Sequence, residues 1–172
     1  MAYGKPGLIW FGLFAITLAS LAAASQEMPK TIGDTLSGKR IVLADEVRGH
    51  AAVVVAGFSR EGGNGTAAWV KAIHADSELA GMPVYEIADI AGAPSLIRGM
   101  IRSGMKKGVP AADQDHFVVL TQDDKPWRTY FEVDDDQVPY VALIDPAGKI
   151  VWRGHGAAAD LEPKLKAAVH PE

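Results

Sequence analysis

Residues 51–58, Ala-Ala-Val-Val-Val-Ala-Gly-Phe, form an unbroken apolar run built around three consecutive valines. A run of this length with no polar alternation suits a strand buried on both faces, as strands inside a parallel sheet are. Parallel strands need long crossover connections, usually helices. The chain therefore has to supply helices on either side of this strand, and its pattern does so.

Before the run, Gly38-Lys39-Arg40 leads as a turn into a short strand at Ile41-Val42-Leu43, and residues 26–37 read as a flexible polar lead-in. After it, Gly62, Gly63 and Gly65 make Ser59–Thr66 a loop. A helix follows with Trp69, Val70 and Ile73 on one face, and Gly81 is placed to end it. Pro83–Ala88 reads as a strand, and Pro94 can open a second helix. In that helix Ile97, Ile101 and Met105 recur every four residues, with Leu96 and Met100 beside them and Arg98, Arg102 and Lys106 off the stripe. His116–Thr121 reads as a third buried strand, and Pro126 opens a short helix carrying Trp127, Tyr130 and Phe131. Asp134–Asp136 is a solvated turn. Pro139 starts a strand over Tyr140–Ile144, Asp145-Pro146-Ala147-Gly148 is a β-turn, and Lys149–Arg153 returns as a hairpin. A last helix carries Leu161, Leu165 and Val169, with Pro163 expected in its first turn. The order predicts an α/β fold with a mixed central sheet.

Lys5, the apolar run from Leu8 to Leu21 and the small residues Ala22–Ser25 read as a secretory signal over residues 1–25, cleaved after Ala24 or Ser25. An uncleaved membrane anchor is the alternative, although the run is shorter than the roughly 20 residues a spanning helix needs. The expected location is periplasmic or secreted. Export permits disulfides, yet the 172 residues include no cysteine, so burial alone must hold the core. A formal charge of −4 and the lack of a basic patch argue against nucleic acid as a partner.

The element order resembles the thioredoxin-like fold of the redoxin and peroxiredoxin type. That fold is a three-layer α/β/α sandwich, here with an N-terminal hairpin and a strand-helix insertion in mid-chain. The resemblance covers residues 38–172 as one domain. Gly38–Gly49 is similar to the N-terminal hairpin, Val53–Thr66 to the first core strand with its redox loop, and Gln137–Gly154 to the cis-proline strand with its partner. A narrower likeness links Val138–Asp145, Gly148–Gly156 and Gly57-Phe58-Ser59-Arg60 to the mitochondrial ATP-synthase assembly-factor family and its bacterial relatives. Those proteins lack thioredoxin activity and assist a membrane-embedded subunit.

Thiol chemistry needs a thiolate, and none can form. The hydroxyls of Ser59 and Thr66 lack an adjacent base, so no catalytic residue is assigned, and Ser59 reads as a loop-capping hydroxyl. The glycines do not match a phosphate loop, which ends in Gly-Lys-Ser/Thr. A turn with Asn64 or Thr66 as helix cap is the plainer reading, and contact with a ligand or peptide is the other. His50, His74, His116, His155 and His170 fall at no metal-binding spacing, and no metal or cofactor is expected. Asp134–Asp136 lacks the alternation and glycine of a calcium loop. Either Val151 or Trp152 should be exposed on its strand.

The resemblance implies a cis bond at Pro139 and a backbone at Val138 that can pair with an extended peptide, a mode that outlives the loss of cysteine. The candidate binding groove therefore joins Ser59, Arg60, Asn64 and Gly65 to Val138, Pro139 and Tyr140. The expected function is that of a non-catalytic binding, chaperone or assembly module for an extended peptide or an envelope or membrane protein. The alternative is a redoxin-type enzyme or redox-system subunit that relies on partner-supplied thiols or on non-thiol chemistry.

Overall fold

A computed structural model describes residues 27–170. The residues read as a signal lie outside that range. No helix of the described residues is long and apolar enough to cross a membrane.

The apolar run forms β3 (Ala52–Gly57), every residue of which is buried. It pairs in parallel with β4 (Val84–Asp89), which pairs in parallel with β5 (Phe117–Leu120). On its other side β3 pairs antiparallel with β6 (Tyr140–Ile144), and β6 pairs with β7 (Ile150–His155). A hairpin of β1 (Ile32–Thr35) and β2 (Arg40–Val42) joins the far edge, where β1 runs antiparallel to β5. The sheet order is β2-β1-β5-β4-β3-β6-β7. The mixed sheet with helices on both faces is the thioredoxin-like sandwich expected.

Period-two alternation divides the core. Val54, Ala56, Tyr85, Ile87, Tyr140 and Ala142 face α1 (Leu43–Glu46) and α4 (Lys125–Phe131), which contribute Leu43, Trp127, Tyr130 and Phe131. Val53, Val55, Val141 and Leu143 face α2 (Arg60–Ala75) and α5 (Ala158–Val169) through Trp69, Ile73 and Leu165. Trp69 also donates from Nε1 to the carbonyl of Gly156 at 2.8 Å, tying α2 to the end of β7. Further along the same face Ala88, Phe117 and Val119 meet α3 (Ser95–Gly108) through half-buried Ile101 and Met105. No residue of α3 is fully buried, and Leu96 and Met100 are exposed.

Several expectations need correction. Residues 26–37 are not a loose lead-in throughout. Ile32–Thr35 is a strand, and Gly33 packs directly on Val118, where a Cβ would clash. The hairpin therefore spans residues 32–42 and begins before Gly38. Residues 60–66 are not a loop but the first turns of α2. That helix stops at Ala75, capped at Asp76, so Gly81 lies in a later turn. α5 starts at Ala158, which puts Pro163 in its second turn, exposed, where its missing N–H frees a carbonyl that water can reach. The Val151–Trp152 pair needs no correction, since one member is exposed as expected: it is Val151, while Trp152 packs toward α2 and α5.

Candidate functional site

The α2 N-terminus is made by Ser59, not by Asn64 or Thr66. Its Oγ accepts from the Gly62 N–H at 3.1 Å and donates to the Asp136 carbonyl at 2.6 Å. One hydroxyl thus caps the helix and ties it to the segment before β6. Glycines permit the rest of the approach. A Cβ on Gly62 would lie 2.7 Å from the Asp136 oxygen and 3.0 Å from the Val138 oxygen, and one on Gly65 would lie 2.7 Å from the Pro139 ring. The glycine run, costly in an ordinary helix, lets this helix sit against the 136–139 backbone.

The turn that leads into that backbone, at Asp134 and Asp135, is held by Tyr140. Its hydroxyl accepts from the N–H groups of Asp134 and Asp135 at 3.0 Å each and donates to Asp134 Oδ1 at 2.7 Å. This bond holds the Asp134 carboxyl below its ordinary value. Among the described residues, no hydrogen bond uses the N–H or carbonyl of half-buried Val138.

Arg128 on α4 gathers the strand ends. It donates to Asp124 Oδ2 at 2.6 Å and to the Phe58 carbonyl at 3.0 Å, stands 3.5 Å from Asp89, and lies over the Phe58 ring at 5.3 Å. Burial pushes the Asp89 carboxyl above its ordinary value, whereas the Arg128 bond holds Asp124 below its own.

Between these groups and α3 opens a cavity of about 1340 Å³. Ser59, Asn64 and Asp136 line one part of it, Ile101, Met105 and Phe117 another, and Glu86 contributes a carboxyl. Its volume exceeds the roughly 300–1,000 Å³ of small-molecule sites. A large space whose wall mixes apolar side chains with charged ones, Arg60, Asp89, Asp124 and Arg128 among them, can hold a polypeptide segment. Nothing in it supplies a thiolate, and among the described residues no cluster of three or more metal-ligating side chains could hold an ion.

A family described as ATP10 protein matches residues 21–170 of this chain. The chain belongs to it. Among curated proteins, none matches the sequence. Solved structures similar to this ATP10-family chain include a thiol:disulfide interchange protein DsbE from Chlorobium tepidum. It shows 19% identity and a TM-score of 0.55 over 84% of this chain and 96% of that one. BsSco, of the Sco family of cytochrome c oxidase assembly proteins, gives 12% and 0.54 over 87% and 96%. A SCO1/SenC family lipoprotein from Bacillus anthracis gives 14% and 0.55 over 86% and 97%. At such identities these likenesses establish the thioredoxin-like fold alone.

In this ATP10-family protein the two halves of the expected groove do meet, but they close on each other. Gly65 and Pro139 are in contact, and Tyr140 is buried. Ser59, Arg60 and Asn64 instead border the cavity, while Val138 leaves its backbone unpaired. The bond before Pro139 is trans, against the cis expectation, since no described peptide bond is cis. Glu86, Asp89 and Arg128 were not anticipated. Their signals were in the sequence: a single acid in the middle of Val84–Ala88, an acid closing that strand, and a lone arginine among the aromatics of α4.

Proposed function

We propose that this protein is an exported, non-catalytic assembly module that holds an extended segment of an envelope or membrane protein. The observation that carries the reading is a chemical replacement. Where redox relatives of this fold keep cysteines, this chain has Ser59 and a glycine-lined helix start, packed on Asp136–Pro139 beside an open cavity. The ATP10-family membership favours an ATP synthase as the complex assisted. The Val138 N–H, unpaired among the described residues, offers a main-chain hydrogen bond to a segment in β conformation, and the cavity bordered by nearby Asp136 offers side-chain space.

The test is genetic and enzymatic together. Deleting the gene in its host lowers the amount of assembled ATP synthase on native gels, and the intact gene restores it. Undiminished assembly in the deletion strain overturns the reading. So does reduction of insulin or consumption of peroxide by the purified protein alone.

A further inference from the structure

The cavity carries a chemical preference of its own, set by Glu86. This residue lies on β4 between two packed regions of the same sheet face, with Val84 under α2 and α5 on one side and Ala88 under α3 on the other. The carboxyl therefore sits at the seam where α2 and α3 part. Its hydrogen-bond partner among the described residues is Thr66 Oγ1. That hydroxyl also donates to the Gly63 carbonyl at 2.8 Å. A hydroxyl has one proton, so Thr66 donates to one of these acceptors at a time, and Glu86 keeps further lone pairs open toward the cavity.

Three arginines, Arg60, Arg98 and Arg128, line the same cavity, and none of them pairs with Glu86. Among the described residues no ion pair reaches Glu86. Arg128 is matched by Asp124, Asp89 and Asp136. Arg98 donates to the carbonyls of Ala93 and Ala91 at 2.8 and 2.7 Å. On the far side of the strand seam, His74 of α2 and Asp113 and His116 of the connection into β5 share a smaller recess with Glu86. Asp113 adds to the burial that pushes the Glu86 carboxyl upward. A half-buried carboxylate with lone pairs open to a cavity is a ready partner for a donor cation, and such a charge-assisted bond is stronger than one between neutral groups. Ile97, Ile101, Met105 and Phe117 supply an apolar wall for the rest of the ligand.

We propose that the cavity between α2 and α3 binds an apolar polypeptide segment carrying one lysine, whose ammonium group seats on Glu86. This rests on the assembly reading for the identity of the ligand as a polypeptide, and on the cavity alone for the lysine.

The probes are acetyl-Leu-Leu-Lys-Leu-Leu-amide, its norleucine counterpart in place of lysine, and hexylammonium chloride, each titrated calorimetrically into the full chain. The lysine peptide binds at least tenfold more tightly than the norleucine peptide. Glu86→Gln brings the two together without weakening the norleucine peptide, and Ile101→Trp, which fills the apolar end, weakens both. Equal affinity of the two peptides for the wild type overturns the proposal, as does a preference that persists in Glu86→Gln, or no binding of either. Hexylammonium binding as tightly as the lysine peptide overturns the polypeptide half of it. Circular dichroism of both variants, matching that of the wild type, shows that the fold is kept. These outcomes are separate from the gene-deletion result: normal assembly on native gels removes the assembly reading even if the lysine preference holds, and lost preference leaves that reading standing.

Discussion

Two neighbouring glycines in α2 should respond to the same substitution in different ways. Replacing glycine by alanine inside a helix gains about 0.8–1.0 kcal/mol from backbone propensity. At Gly63 nothing lies within 4 Å of the new methyl, so Gly63→Ala keeps that gain. At Gly62 the methyl would lie 2.7 Å from the Asp136 oxygen, while ordinary contact begins near 3.4 Å. The helix and the 136–138 backbone must therefore separate by about 0.7 Å. Ser59 resists that separation through its bond to the same Asp136 carbonyl. Forcing one extra methyl into a packed contact costs about 1–3 kcal/mol, which cancels the propensity gain or exceeds it by up to about 2 kcal/mol. The two variants should thus differ by about 1–3 kcal/mol. Urea unfolding of the full chain, followed by far-ultraviolet circular dichroism, measures the difference directly. If Gly62→Ala proves as stable as Gly63→Ala, the close approach that organises the site is not there.

Two further outcomes follow from the charged groups. Arg128→Met strips the cation from Asp89, whose side chain is 4% exposed. It should cost about 2–3 kcal/mol, below the full value for a buried pair because Arg128 is itself a third exposed. Adding Asp89→Asn, which removes the charge but keeps an acceptor for the Ala91 N–H, should recover most of the loss in chemical denaturation, and a double variant no better than the single one refutes this. Glu86 makes stability depend on pH. Its carboxyl titrates above its ordinary 4.5 in the folded protein, chiefly because of burial. Its favourable contribution is therefore present below pH 4.5 and is lost as pH rises through the raised value. Glu86→Gln should gain on the wild type in urea midpoints as pH rises above about 4.5 and level off once the folded carboxyl is ionised, and parallel curves contradict the assignment.

The strands were legible wherever burial on both faces left a continuous apolar run, as in β3, β5 and β6. The aromatic helix α4 and the hairpin turn at Asp145–Gly148 were legible for local reasons, proline and glycine at fixed offsets. β1 was not, because Ile32-Gly33-Asp34-Thr35 has no strand pattern of its own and becomes a strand by lying on β5. Propensity also misplaced the start of α2. Three glycines in four residues oppose a helix locally, and only the 136–139 backbone, more than seventy residues later, explains them. The same distance separates the halves of the site. The pairing of Gly65 with Pro139 could be expected from the resemblance, but the closing of the groove could not, since it depends on contacts of a few tenths of an ångström. The cavity was out of reach because a helix stripe such as Ile97, Ile101 and Met105 does not say how tightly it docks. Arg102 shows the same limit. It stood off that stripe in the sequence, yet it reaches back to the Thr35 carbonyl and pairs with Asp34 at 3.6 Å.

α3 touches the sheet through half-buried side chains and has open space beneath it. Little apolar area has to be uncovered to lift it away, so its amides should exchange with deuterated solvent through local opening well before those of β3 or α2, at a free energy far below that of global unfolding. The molecule would then be built of two parts that melt separately: a persistent slab of sheet with its aromatic backing, and one helix that comes and goes on a faster clock.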